Sequence, residues 1–269
     1  MNLKCRTQLP AVFRQTLLSI GLALASLSAS ALPSFTLDPS TIGLAGSAFT
    51  ADNLLVSNFS TVLNGPAGAF TETGYLSVTG AQLGGGMAMA AGLNTGYGLY
   101  VQFAGAGHTT FGTDPTTGPT FGTLDSLTYT LYGYNGTATF GFDAGNMPMT
   151  TATGAIALAS GMLVPGTGSV TTTPSAPLFA PSANAILTMD GTAGGAFFAS
   201  PNPFMNQALT SFSNTSSQVS LINGGFTIRQ GGGSINFSSA VPEPESYALL
   251  AAGLAVIAFV STRRSRDRR

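Results

Sequence analysis

The sequence predicts an all-β fold, an antiparallel β-sandwich-like single domain that lies between two terminal segments of a different kind. Short runs of residues alternate between apolar and polar, turn dipeptides separate them, and the interior lacks long helical periodicity. From Asp125 to Tyr132, for example, alternation places Leu127, Tyr129 and Leu131 on one face of a strand. Many short strands joined by frequent turns are typical of antiparallel sandwiches and related all-β folds.

Further strands are predicted from the same alternation, at residues 74–78, 97–103, 137–142, 218–222, 226–229 and 234–237. Turns are predicted at Asn135-Gly136, Asp190-Gly191 and Asn223-Gly224. The last of these indicates a hairpin, because Asn and Gly tolerate the positive φ of a tight turn. Residues 80–92 fit either a loop or a short packed helix, and the Pro-, Thr- and Ser-rich residues 164–181 favour a loop.

The N-terminus has the three parts of a secretory signal peptide, predicted to span residues 1–31. A basic opening precedes an apolar stretch at 17–27, and small residues, Ala29 and Ala31, precede the expected cut before Leu32. The expected partners are the Sec translocon and signal peptidase. An uncleaved membrane helix is disfavoured, because the apolar stretch is shorter than the ~20 residues that a span needs.

The C-terminal segment, residues 241–269, combines a Pro-Glu-Pro triplet, an apolar stretch at 247–260 and a basic end. The triplet is Pro242, Glu243 and Pro244, whose prolines favour an extended strap. Arginine is costly to move across a bilayer, so the basic end should stop transfer and leave the body outside. These arginines are Arg263, Arg264, Arg266, Arg268 and Arg269.

This arrangement resembles the PEP-CTERM sorting signal. The resemblance implies that exosortase, a membrane transpeptidase, recognises Pro242, Glu243 and Pro244 as substrate residues. It also implies a location at the cell surface or in the extracellular matrix, after transient anchoring in the inner membrane. The alternative is an ordinary tail anchor with a chance triplet.

The body between the two ends, residues 32–240, is acidic. Arg229 is its one basic residue besides His108, against seven Asp and Glu residues, which gives a formal charge of −6. Binding of nucleic acid by charge neutralisation is therefore not expected. The single cysteine of the chain, Cys5, falls in the predicted signal peptide, so a disulfide-stabilised body is not expected either.

The body lacks the residue patterns of familiar enzymes, so no catalytic residue, metal or cofactor is predicted. His108 is the single histidine, in a Gly-rich segment interpreted as a surface loop, and a Gly-x-Ser-x-Gly motif is missing. Asp114, Asp125, Asp143 and Asp190 offer oxygen ligands for calcium, but none lies in a D-x-D-x-D-G loop. Most are interpreted as turn residues whose carboxylates accept backbone N–H groups.

The body also resembles the PepA family of flocculation-associated PEP-CTERM proteins. The resemblance lies in short segments at 32–39, 97–100 and 197–204 and in the closing strands before the tail. It implies a non-catalytic secreted protein that associates with exopolysaccharide and promotes flocculation or biofilm formation. A lectin-like module that binds a glycan or calcium is the alternative. A carboxylate-pair glycosidase is weaker, because the chain lacks the tryptophan that usually lines sugar subsites.

Overall fold

The computed structural model describes residues 32–109 and 114–239, together with Gly253. The predicted signal peptide up to Ala31, the Pro-Glu-Pro triplet and the terminal arginines lie outside these residues. Within the described part, no helix has the length and apolar character needed to cross a membrane.

The described residues form strands joined by turns and four short 3-10 helices. The strands are β1 (Phe35–Leu37), β2 (Phe49–Ala51), β3 (Asn53–Asn64), β4 (Ala69–Leu83), β5 (Gly86–Met87), β6 (Tyr97–Thr109), β7 (Thr120–Asn135), β8 (Phe140–Phe142), β9 (Pro148–Thr150), β10 (Ile156–Met162), β11 (Ser169–Ser175), β12 (Leu178–Thr188), β13 (Phe198–Ser200), β14 (Gln207–Ser213), β15 (Val219–Ile222) and β16 (Gly225–Ser238). The 3-10 helices are Pro39–Ile42, Pro66–Gly68, Thr192–Phe197 and Ser216–Gln218.

Eight of these strands form one antiparallel sheet that closes on itself. The order is β7, β6, β4, β3, β16, β14, β12 and β11, and β11 pairs again with the first half of β7. The second half of β7 pairs with β10 on the same edge. The all-β, antiparallel prediction is confirmed. The structure refines the sandwich-like part of it, because the facing walls around the core belong to a single sheet.

The interior of this closed sheet holds the core, because every second residue points inward. On β4, Phe70, Leu76 and Val78 are buried, and on β3 Leu54 and Val56 are buried opposite them. This alternation is the one that the sequence predicts for a sheet with one face on the core.

One end of the closed sheet carries a small cap sheet of β13, β1 and β2. Phe35 of β1 packs edge-on against Phe237 near the end of β16, with ring centroids 4.8 Å apart. Phe204 contacts both rings, at 6.3 and 5.5 Å. The cap sheet therefore joins the core through a cluster of aromatic rings.

The segment between β7 and β10 covers part of the outer face. It contains the β8–β9 hairpin, and Phe140 of this hairpin contacts Phe59, Tyr75 and Tyr100 at centroid distances of 5.7 to 6.2 Å. These contacts explain why Phe59 and Tyr100 are buried although their strand positions point away from the interior.

Two local predictions are corrected and one is confirmed. Residues 164–181 are not one loop, since they contain β11 and the start of β12. The β-branched run from Val170 to Thr173 suits a strand with partners on both sides. Residues 80–92 contain the end of β4 and β5, without a helix. The hairpin at Asn223-Gly224 is confirmed: Ile222 pairs with Gly225, and Gly224 has a φ of 77°.

Candidate functional sites

The predicted sorting and cleavage residues lie at or beyond the ends of the described structure. Leu32 is described and exposed, whereas Ala29 and Ala31 precede the described part. At the other end, β16 ends at Ser238, four residues before Pro242. The triplet therefore follows the last strand of the closed sheet after a very short connection. The individual roles of these residues stay predictions.

A groove of about 390 Å³ lies on the outer face of β4, β6 and β7. Its floor consists of outward-facing side chains, and Met147 and Pro148 form one wall. The floor side chains are Thr73, Tyr75, Gln102, Ala104, Thr128 and Thr130. The groove thus combines hydroxyl and amide groups with one aromatic ring, which is the mixture that recognises a polar ligand with apolar faces.

Tyr75 belongs to a row of aromatic rings along the outer face. Its ring lies 5.9 Å from that of Tyr100, and Tyr100 stacks on Tyr132 at 5.1 Å with an interplanar angle of 19°. Burial raises the pKa of Tyr100, and the neighbouring tyrosines Tyr132 and Tyr75 raise it further. Contacts of the Tyr100 ring with Tyr75 and Tyr132 therefore form the edge of the groove.

The wall of the groove is fixed by a turn that Asp143 organises. Its Oδ1 accepts the N–H groups of Gly145 and Met147, both at 2.8 Å. Thr61 Oγ1 on β3 donates to the carbonyl oxygen of Asn146 at 2.5 Å. Met147 and Pro148 are thus anchored to the closed sheet, and the groove is preformed.

His108 lies in β6, so its interpretation as a loop residue is wrong. Pairing of β6 with β4 and β7 orders this Gly-rich segment, since Gly105 and Gly107 let neighbouring side chains approach. His108 Nδ1 contacts Asp125 Oδ2, and Thr123 Oγ1 donates to Asp125 Oδ1 at 2.7 Å. The hydrogen bond from Thr123, and then that from His108, lower the pKa of Asp125. Both partners are exposed.

Most of the other aspartates stabilise the turns in which they lie, as the sequence predicts. Each accepts the N–H group of the residue two positions on: Asp38 from Ser40, Asp114 from Thr116, Asp143 from Gly145 and Asp190 from Thr192. In the described ranges, no three His, Cys, Asp or Glu side chains come together as a metal-binding group.

Sequence reasoning missed the groove, although part of its signal was present. Thr73 and Tyr75 alternate with the inward residues of β4, so their shared outer face is readable from the sequence. The contributions of Gln102, Thr128 and Met147 depend on pairing between distant strands, which the sequence does not display.

Comparison with known proteins identifies one family model. The PEP-CTERM protein-sorting motif matches residues 240–265, a range that contains the Pro-Glu-Pro triplet, the apolar stretch and the first two terminal arginines. Neither a curated protein nor a solved structure matches the chain. The chain therefore carries a PEP-CTERM sorting motif, which implies secretion to the cell surface and processing by exosortase.

Proposed function

We propose that the chain is a non-catalytic protein of the cell surface or extracellular matrix, which associates with exopolysaccharide and promotes flocculation or biofilm formation. The observation that carries this proposal is the sorting motif at 240–265, placed directly after the last strand of a folded β domain. Exosortase processing would deliver that domain to the outside of the cell.

The outer groove supports an association with polysaccharide. Sugar rings present hydroxyl groups at their edges and C–H groups on their faces. Gln102 and the threonines of the groove offer hydrogen bonds to the former, and the ring of Tyr75 offers an apolar surface to the latter. A body charge of −6 disfavours strongly acidic polymers, so neutral polysaccharide is the expected class.

The resemblance to the PepA family is a second support. Two of its segments, at 32–39 and 197–204, contain β1 and β13, which pair in the cap sheet through Thr36 and Ser200. Two of the resembling segments are therefore neighbours in the fold although they are far apart in the sequence.

Deletion of the gene tests the proposal directly. We expect weaker flocculation at unchanged polysaccharide yield, and restoration by the wild-type gene. Complementation with the Gln102→Ala variant should restore less flocculation than complementation with the Ser211→Ala variant. Ser211 is the control, because it is an exposed residue on the outer face of β14, away from the groove. Unchanged flocculation after deletion would contradict the proposal.

Mass spectrometry of the protein from culture tests the route of export. We expect an N-terminus at Leu32 and loss of the segment that follows the Pro-Glu-Pro triplet. Replacing Glu243 with Ala should leave the C-terminal segment attached, whereas Glu245→Ala, just outside the triplet, should not. An uncut chain of 269 residues in the cytosol would contradict export.

A lectin-like function is the second candidate, because the groove is preformed and has a defined wall. A lectin would select discrete oligosaccharides on a glycan array, and Tyr75→Ala would abolish that selection. A calcium-dependent thermal shift would favour a calcium-binding module. A matrix protein should bind the extracted polysaccharide without marked selectivity for short glycans.

A further inference from the structure

The interior of the closed sheet contains a cavity of about 130 Å³. All eight strands of the closed sheet contribute to its wall, and most of the lining side chains are apolar. They include Val62, Phe70, Val101, Leu124, Ala185 and Ile228. The cavity lies away from the cap sheet, and Asn64, an exposed residue at the end of β3, lies on its rim.

Several polar side chains also line the cavity, among them Glu72, Asn58 and Asn214. Glu72 points inward from β4, in the alternation that also directs Phe70 and Leu76 inward. Asn58 of β3 and Asn214, just after β14, are only 4% and 6% exposed. Glu72 is enclosed by protein, and it keeps some accessible surface because it lines the cavity.

Two of these side chains have an oxygen without a partner inside the protein. Asn58 Oδ1 and Asn214 Oδ1 are buried without a hydrogen bond. Asn214 uses its Nδ2 to donate to the carbonyl oxygen of Pro181 at 2.9 Å, which leaves only its oxygen free. Gly231 makes room for that oxygen, since a Cβ there would lie 1.9 Å from it. Burial raises the pKa of Glu72, and hydrogen bonding of its carboxylate to Ser60 and Asn58 opposes this effect only in part.

Buried acceptors without donors are costly, so native structures pair nearly all of them with protein, water or ligand. A ligand that covers the apolar wall and donates a hydrogen bond to these oxygens would remove the cost. An apolar cavity of about 150 Å³ accommodates one benzene ring. The cavity of about 130 Å³ therefore suits a molecule of one small ring or a short chain.

We propose that this cavity binds a small, mainly apolar molecule that carries a hydroxyl group, with the hydroxyl directed at Glu72, Asn58 and Asn214. The ligand enters past the rim at Asn64, because the opposite end is filled by the aromatic rings of the cap sheet. This site is separate from the outer groove. The proposed ligand binding can therefore be tested independently of the proposed role in flocculation.

Phenol and toluene are a matched pair of probes, because they differ by the hydroxyl group. We expect phenol to raise the melting temperature of the exported protein and to bind at least about tenfold more tightly than toluene, as a site built for a hydroxyl requires. Equal binding of the two probes would overturn the polar part of the proposal. Binding of neither would show that the cavity holds only water and would overturn all of it.

Two alanines on β12 provide a matched pair of variants. Ala185→Leu fills the cavity and should abolish phenol binding, whereas Ala180→Leu lies on the opposite face of the same strand and should preserve it. Phenol binding that survives Ala185→Leu would place the site elsewhere. Methyl NMR of the unaltered protein provides a second measurement: phenol should shift the signals of Val62 and Val101, and unshifted signals would contradict the site even if the leucine variant fails to fold.

Discussion

The two ends of the closed sheet are filled in different ways. At the capped end, Phe35, Phe197 and Phe237 are buried, and the cavity that Phe237 helps to line measures only about 30 Å³. At the other end, Glu72 and Asn58 face a cavity. The same antiparallel sheet thus supports a closely packed core and a partly polar interior. We therefore expect the capped end to contribute more to the free energy of unfolding. At the other end, the buried polar groups that face the cavity reduce stability.

Truncation of an aromatic residue at the capped end should have the largest effect. Phe35 is 1% exposed and packs against Phe237, so Phe35→Ala should lower the free energy of unfolding by about 3–5 kcal/mol. Urea denaturation of the exported protein measures this. Leu221→Ala, at a residue that is 61% exposed, should change it by less than about 0.5 kcal/mol. Equal losses in the two variants would contradict the comparison.

At the opposite end, removing a charge should stabilise the protein. Glu72→Gln keeps the shape of the side chain, and we expect a gain of about 1–3 kcal/mol at neutral pH, because an enclosed carboxylate is poorly paired there. Denaturation at pH 4 and pH 8 measures the gain. Asp190→Asn, a change at a carboxylate on the surface, should not reproduce it.

The sign of the pH dependence follows from the raised pKa of Glu72. Below its ordinary value of 4.5, the carboxyl is protonated in both the folded and the unfolded chain. As the pH rises above 4.5, the unfolded chain loses this proton first. The stability that Glu72 contributes is therefore lost progressively, until the pH passes the pKa of Glu72 in the folded protein. Tyr129 is the other titratable side chain described in the cavity wall, and burial raises its pKa too. A gain for Glu72→Gln that is larger at pH 4 than at pH 8 would contradict this assignment.

A smaller effect is expected where the two ends meet. Tyr129 lies between the capped core and the cavity and donates to the carbonyl oxygen of Thr188 at 3.0 Å. Tyr129→Phe should cost about 0.5–1.5 kcal/mol, since it removes one buried hydrogen bond. Tyr132→Phe, on the outer face of the same strand, is the control. A loss for Tyr132→Phe as large as that for Tyr129→Phe would show that the hydroxyl of Tyr129 contributes nothing specific.

The smallest effect concerns an exposed carboxylate on β7. The pKa of Asp125 is lowered mainly by the hydrogen bond from Thr123 and less by that from His108. NMR titration should therefore show a larger rise in the pKa of Asp125 for Thr123→Val than for His108→Gln. The reverse order would mean that the imidazole is the main partner.

Local features were predictable where a few neighbouring residues decide them. The hairpin at Asn223-Gly224 was predicted because the turn conformation depends on those two residues alone. The inward position of Glu72 was also readable, since it shares the alternation of Phe70 and Leu76. The prediction of a loop at 164–181 failed because it rested on the Pro-, Thr- and Ser-rich composition, which includes Pro174 and Pro181. Both lie in strands, where pairing on the neighbouring residues compensates for the missing N–H groups.

The sequence by itself determined the sorting motif and several of the strands. A triplet followed by an apolar stretch and arginines, and an alternation of period two, are properties of consecutive residues. Only the tertiary structure decided that the sheet closes, with Val170 pairing with Gly122 across the chain. Pairing of β4 with β3 and with β6 brings Glu72 and Asn58 into the wall of one cavity and sets Tyr75 opposite Gln102 in the outer groove. The physical reason is that sites of this kind depend on register between distant strands, which is set by the packing of the whole sheet.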